Sequence, residues 1–519
     1  MSTSGQAGHV RQADRAAGGA GPGPGALPHV VIVGGGIAGL AAAFFLRGEP
    51  VRVTVLEGSP RLGGKLAVSE VAGIAVDEGA EALLTRRPEG LELIREVGLG
   101  DQLVTPGTTS SAIWTRDAMQ PLPQRQFMGV PADLGDLARS GVLSEEGLVR
   151  ARQDLDLPAT ERDGDMAVAA YVGARFGPEL VDRLVDPLLG GVYAGRSEDL
   201  SFEATLPPLA AASRSHRSLA EAAESLLPAP PQGAVPDGPG SQGTGSQGVA
   251  PPPPGRPPVF ATLTDGLGTL PAAVGAASGA VIRTRSTVRE LARTATGWRL
   301  AAGSAAAHEE IHADAVVLAV PARPAARLLA GVAGAPAAAL GSIDYASMAI
   351  VSLAFPRSAF PAAQGPPRSG YLVPAVDGHA VKAVTFSTLK WPHLIGSAGP
   401  DGPVDVIRCS VGRIGEEGLL QRDDDELAAL AAAELAEATG VRGTPLDARV
   451  TRWGGALPQY TVGHLDRVAA IRSGIEAQPG LAICGAAFDG VGIPACVATA
   501  RAAAGQVISY LRARQRPGA

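Results

Sequence analysis

Residues Val30 to Leu46, VVIVGGGIAGLAAAFFL, carry no charged and no strongly polar side chain over 17 positions. Such a run is either a short membrane span or the core of a soluble fold, and the choice constrains everything else. A spanning helix needs about 20 apolar residues, and this run stops at Arg47. Gly34, Gly35 and Gly36 sit where a continuous helix would lose most stability. The β-branched VVIV before them reads as a buried strand, and LAAAFFLRG after them as a helix ending at Gly48. Strand, glycine turn and helix is the expected arrangement.

Gly34, Gly36 and Gly39 then match G-x-G-x-x-G in the setting that gives the pattern meaning. The first permits a tight turn, the second lets a pyrophosphate approach the backbone, and the third packs helix on strand. Gly35, Ile37 and Ala38 complete a turn whose free N–H groups face an anion. A second alternating strand, VRVTVLEGS, ends in Glu57 and Gly58, with Glu57 lying 18 residues beyond Gly39. A carboxylate there accepts from ribose hydroxyls and repels a 2′-phosphate, which favours FAD or NAD over NADP.

Composition narrows the partners. A net charge of −7 without a basic block gives no electrostatic footprint for nucleic acid. Three cysteines, Cys409, Cys484 and Cys496, are too few for a disulfide framework and form no C-x-x-C pair, which suits a reducing cytoplasm. Residues 1–28 lack an apolar secretory core and read as a disordered tail; residues 228–257, rich in Pro and Gly, read as a flexible insert.

Beyond Glu57, the motifs PRLGGKL and AVDEGAEAL give the pattern Glu-x-x-x-Arg-x-Gly-Gly-Lys. This resembles the flavoprotein superfamily of amine oxidases, carotenoid desaturases and protoporphyrinogen oxidases. The segments DPLLGGVYAGRSEDLS, VFATLTDGLGTLP, DAVVLAVPA, RWGGALPQYTVGH and ICGAAFDGVGIPACVATARAAA resemble its porphyrinogen-oxidising branch, nearest to the bacterial coproporphyrinogen III oxidases. The resemblance implies FAD as cofactor. It implies that Arg61, Gly63, Gly64 and Lys65 flank the pyrophosphate and that Gly79, Ala80, Glu81 and Ala82 lie beside the isoalloxazine. It places Gly485, Val491, Gly492 and Ile493 against the flavin, Trp453 nearby, and the backbone of Val288 at the adenine. Trp453 alone reads equally well as a core aromatic.

The expected fold class is α/β. A Rossmann-like FAD-binding domain is assembled from residues 29–105, 258–335 and 450–519, with a helical substrate-side region at 106–227 and a mixed-sheet substrate domain at 336–449. In the last of these, YASMAIVSLAF, SGYLVPA, HAVKAVTFST and DVIRCSVG alternate like strands, and a helix starts at the acidic run Asp423 to Glu426. Pro494 suits the first position of a closing helix whose positive end faces the flavin pyrimidine edge, where charge appears on reduction. In relatives the helical region can rest on a membrane surface, although no basic cluster here calls for weak contact of that kind. A haem-pathway enzyme is a candidate partner.

HEEIH, His308 to His312, matches a zinc-protease signature that works only on a helix. It runs into the strand-like ADAVVLAVPA, and on a strand the two histidines stand about 13 Å apart, too far for one metal. No nucleophile-and-base constellation stands out, so the expected chemistry is hydride loss from the bridging carbons of a porphyrinogen substrate, with O2 as final acceptor and H2O2 released. Coproporphyrinogen III, with four propionates, and protoporphyrinogen IX, with two, are the alternatives, ahead of an amine or a carotenoid. Arg125 is the leading propionate anchor by resemblance; Arg86, Arg87, Arg196 and Lys390 are further cations that also read as solvated charges. His464 reads equally as structural or catalytic.

Overall fold

The computed structural model describes residues 27–160, 164–228, 258–304, 307–361, 368–394, 398–399 and 402–515. The expected tail and insert lie, except for their ends, outside the described residues.

Val30, Val31 and Ile32 are fully buried because parallel strands flank them on both sides. His29–Val33 pairs residue for residue with Arg52–Leu56 on one side, and Val30 to Val33 pair with Ala315–Leu318 on the other. Val281–Arg283 and Leu481–Ile483 add the two edges of this five-stranded parallel sheet. Its strands come from three distant parts of the chain. Helix Ile37–Phe45 makes the crossover between the first two, with eight of its nine residues buried. It is held between the sheet and the helices Leu270–Ser278 and Ile493–Gln515, whose apolar side chains share its core. Burial on all sides accounts for its uninterrupted hydrophobicity. Among the described residues, no helix is long and apolar enough to cross a membrane.

HEEIH forms the strand His308–Ala313, paired antiparallel with Trp298–Gly303, and both histidines are exposed. The three cysteines are free and buried.

A second, larger sheet is mostly antiparallel. Its main path runs Asp447–Pro458, Tyr345–Pro356, Gly402–Val411, Val381–Phe386, Gly370–Leu372, Ser111–Thr115 and Ala118–Pro121. Two differences from the sequence reading matter. The mostly helical stretch 106–227 lends a hairpin to this sheet, and a boundary at 450 cuts through the strand Asp447–Pro458. Both arise because long-range pairing, which local patterning does not encode, decides where a strand belongs. Helix Asp424–Thr439 covers one face, burying Leu427, Ala431 and Leu435 at a spacing of four, with Asp424, Asp425 and Glu426 in its first turn.

The helical region packs around its own core, and a buried ion pair ties it together. Asp154 accepts from Arg175 Nε at 2.5 Å and from Ser218 Oγ and the N–H groups of Leu219 and Ala220, which open the helix Leu219–Ser225. A π-turn at Val181–Val185 precedes the helix Asp186–Tyr193, where Pro187 cannot supply an N–H.

Candidate functional site: a dinucleotide cradle and a flavin-facing platform

The glycines at the tip of the first strand divide into two kinds. A Cβ on Gly34, whose φ is +112°, would meet Ala319 O at 2.5 Å, and one on Gly39 would meet Gly34 O at 1.9 Å. These two allow the turn and the strand–helix contact. A Cβ on Gly36 would meet nothing within 4 Å, so its missing side chain leaves clearance at the mouth of the helix. The RLGGK loop sits against this turn: Gly63 N–H donates to Gly35 O at 2.9 Å, and Gly36 and Gly63 form a parallel bridge. Arg61 holds the loop's shape by donating to the carbonyls of Leu62, Leu66 and Gly64.

Glu57 closes the other side. Its carboxylate accepts from Gly35 N–H at 2.6 Å and Ser59 N–H at 2.7 Å. A cavity of about 560 Å³ opens beside it, lined by Gly34, Glu57, Gly58, Thr287, Val288 and Arg327 among others. That volume is ordinary for a cofactor site, and it brings Val288 together with the glycine turn and Glu57.

Beyond the cradle lies the segment Asp77–Glu81, all of whose carboxylates are engaged. Asp77 accepts from the N–H groups of Leu267 and Gly268 at 2.9 and 2.8 Å. Burial pushes its carboxyl up to about 6, against those two hydrogen bonds. Glu78 pairs with Arg449, and its carbonyl accepts from Trp453 Nε1 at 2.8 Å. Gly79 has no room for a Cβ, which would lie 1.7 Å from Lys65 O, and its own carbonyl accepts from Arg408. Glu81 is gripped by Lys390 at 2.5 Å and Arg408 at 3.0 Å. Burial opposes its charge, yet the Lys390 ammonium and then the Arg408 guanidinium outweigh it and hold the carboxyl down to about 2. The clamp leaves Ala80 exposed, Ala82 half-buried, and Trp453 half-buried beside the segment.

The closing helix begins at Ile493, so Pro494 stands second in it, one place later than expected. Its first turn meets the same site: Pro494 lies 3.2 Å from where a Gly90 Cβ would be, Ala495 lies against Gly490, and Cys496 neighbours Lys65. Gly492 is exposed and Val491 half-buried just ahead of the turn. Gly485, with φ +128°, has open space where a Cβ would be. Burial lowers the pKa of Lys65, and among the described residues no carboxylate faces its ammonium. A half-buried cation next to a helix N-terminus suits an anionic, electron-accepting group. These residues could hold FAD: the glycine turn for the diphosphate, Glu57 and Val288 for the adenosine end, and the platform and the closing turn for the ring; Lys65, which the resemblance assigns to the pyrophosphate, neighbours Cys496 in that closing turn and so stands on the ring side.

The cations expected as candidate propionate anchors are mostly engaged by protein groups. Arg125 pairs with Glu224, its Nε 3.1 Å from Oε2, and its backbone N–H donates to Asp136. Lys390 is committed to Glu81, and Arg87 bonds Glu89 at 3.1 Å and reaches toward Asp489 O at 3.5 Å. Arg86 and Arg196 are exposed, Arg86 lying 6.0 Å from the Phe127 ring. His464 is buried and stacked on Tyr460 at 3.9 Å; burial, then Arg467, pushes its pKa down to about 4, so it is neutral at pH 7. The sequence reading passed over Arg408 and Asp77. The signal for Arg408 was a lone arginine in the alternating run DVIRCSV; for Asp77 it was a carboxylate directly before the glycine motif.

The chain matches the family model described as flavin containing amine oxidoreductase over residues 37–508. A Mycobacterium bovis protein named coproporphyrinogen III oxidase is 38% identical over 494 residues, covering 93% of this chain and 98% of its own. A Bacillus subtilis protein of the same name is 31% identical over 492 residues, with coverage of 93% and 98%. Among solved structures, one assigned as a protoporphyrinogen oxidase from Exiguobacterium sp. 255-15 superposes with a TM-score of 0.77 at 29% identity, covering 94% of this chain and 99% of that one. Cyclohexylamine oxidase from Brevibacterium oxydans superposes with a TM-score of 0.63 at 14% identity, covering 93% and 99%, a likeness of fold alone. Cradle, platform and relatives converge: the chain belongs to the flavin-containing amine oxidoreductase family, as a FAD-dependent oxidoreductase of its porphyrinogen-oxidase branch.

Proposed function

We propose that the protein oxidises coproporphyrinogen III to coproporphyrin III in haem biosynthesis, in the cytoplasm. The observation that carries this reading is the match to bacterial proteins of that name over 93% of this chain and 98% of theirs. When bound, FAD supplies the hydride acceptor, and its reoxidation by O2 releases hydrogen peroxide. Six hydrogens leave the macrocycle, so one substrate consumes three O2 and yields three H2O2.

The chain's own residues supply position and electrostatics rather than a strong base. Around the platform the carboxylates of Glu78 and Glu81 are tied to arginine and lysine, and His464 is walled off from solvent. Pyrrole N–H protons then pass to water. Lys65 and the start of the closing helix favour negative charge on the ring they face. Arg125 is the proposed propionate anchor, reached when a substrate carboxylate displaces Glu224.

Purified protein should show an oxidised-flavin absorption band, and its porphyrin fluorescence should rise faster with coproporphyrinogen III than with protoporphyrinogen IX. A preference for protoporphyrinogen IX would move the assignment to the two-propionate substrate. No turnover of either would overturn it.

A further inference from the structure

We infer that Tyr460 is a positioning residue: its hydroxyl holds the turn Ala486–Gly490, which delivers Val491–Ile493 to the flavin, and its neighbours link that turn to the substrate-side segment at Tyr193. The inference rests on the FAD placement above. The hydroxyl donates to Ala486 O at 2.6 Å and accepts from Gly490 N–H at 2.9 Å, so one group closes both ends of the turn. Gly490 has a φ of +133°, and a Cβ there would press on Ala495 in the first turn of the closing helix. The turn, the helix start and the hydroxyl therefore move together.

The rest of Tyr460 is fastened to the other side of the site. Its ring is 1% exposed, stacked on His464 and 5.5 Å from the ring of Tyr193. Its carbonyl accepts from Ser201 N–H at 2.8 Å. The preceding Gln459 donates from Nε2 to Tyr193 O at 2.8 Å, and its backbone N–H donates to Asp344 O. Thr461 bridges Leu200, and Val462 N–H donates to Asp199 O. PQYTV thus laces the end of the GVYAG helix to the flavin-side turn. Burial raises the pKa of the hydroxyl far above its ordinary value, so it keeps the proton it donates.

Tyr460→Phe preserves the ring and its stacking and removes only the bridge. The apoprotein should bind FAD about tenfold more weakly, with both hydrogen bonds of the hydroxyl lost. The bound flavin's visible circular dichroism should change, and kcat should fall about tenfold with KM held within about twofold. Gln459→Leu cuts the lacing at Tyr193 O and keeps the bridge; it should raise KM and leave FAD affinity and flavin spectrum as in the wild type. Wild-type FAD affinity and spectrum in Tyr460→Phe, with or without a lower melting temperature, would overturn the inference, as would altered FAD affinity in Gln459→Leu. If Tyr460→Phe fails to fold, the Gln459→Leu arm still tests the link to Tyr193, and an unchanged KM there would overturn the inference. A wild-type chain that takes up no FAD would sink the flavin placement itself, and this inference with it.

Discussion

The glycine cradle and the charged platform Asp77–Glu81 are built by opposite means. The cradle is made of backbone: glycines with either no room for a side chain, as at Gly34 and Gly39, or empty space where one would be, as at Gly36. The platform is made of charge that is already spent, Glu81 on Lys390 and Arg408 and Glu78 on Arg449, and the candidate anchor Arg125 is likewise spent on Glu224. A site shaped by missing side chains tolerates no additions. A site shaped by ion pairs tolerates no unbalanced deletions, because the partner is left charged in a poorly solvated place.

The contrast breaks most sharply at two glycines three residues apart. Gly39→Ala puts a methyl 1.9 Å from a carbonyl oxygen, so the helix must leave the strand; we expect no flavin to be retained on purification, and a large loss of melting temperature. Gly36→Ala meets no protein atom, and Ala is tolerated at its φ of −76°. Its fold should be as stable as the wild type, or more so by about 0.4–1 kcal/mol, while FAD affinity falls about 10- to 100-fold because the methyl occupies the diphosphate's clearance. Equal FAD affinity in Gly36→Ala and wild type would erase the distinction between the two kinds of glycine.

On the charged side, Glu81→Ala strands Lys390 and Arg408 together. We expect a loss of about 3–5 kcal/mol in urea unfolding, whereas replacement of an exposed acid such as Glu146 should stay within about 0.5 kcal/mol. Asp77, four residues earlier, has the opposite sign. Its folded pKa of about 6 lies above the ordinary 3.8, so it favours the fold when protonated and loses that contribution as pH rises through about 6. Glu81, held at about 2 against an ordinary 4.5, contributes at neutral pH and loses its contribution as pH falls from about 5 toward 2. Asp77→Asn should therefore gain stability relative to the wild type between pH 4 and 7, by on the order of 1–3 kcal/mol across that window. A pH-independent difference between the two proteins would show that folding does not raise the Asp77 pKa.

The same contrast explains what could be read from sequence. Gly34, Gly36, Gly39 and Glu57 were legible because a turn, a helix mouth and a strand end are local, and local spacing determines them. The strand nature of HEEIH was legible from the strand-like ADAVVLAVPA into which it runs. The fate of Arg125 and Lys390 was not, since their partners Glu224 and Glu81 stand 99 and 309 residues away. Nothing near either cation records which carboxylate will meet it. The hairpin Ser111–Pro121 escaped notice for the same reason: its two strands become part of the large sheet only through a parallel partner at Gly370–Leu372.

The mildest test asks whether Arg125 belongs to the fold or to the substrate. Its guanidinium is about one-quarter exposed and Glu224 nearly half, so the pair itself is worth no more than about 1 kcal/mol. A propionate that uses Arg125 must first displace Glu224. Glu224→Gln removes the competing charge without removing the side chain, so KM for coproporphyrinogen III should fall about two- to threefold with kcat unchanged. Arg125→Ala should raise it by more, because the anchor and not the competitor is lost. If Glu224→Gln leaves KM where it was while Arg125→Ala only lowers the melting temperature, Arg125 serves the helix Leu219–Ser225 and the propionates are met elsewhere, at Arg86 or Arg196, the exposed cations of the original set.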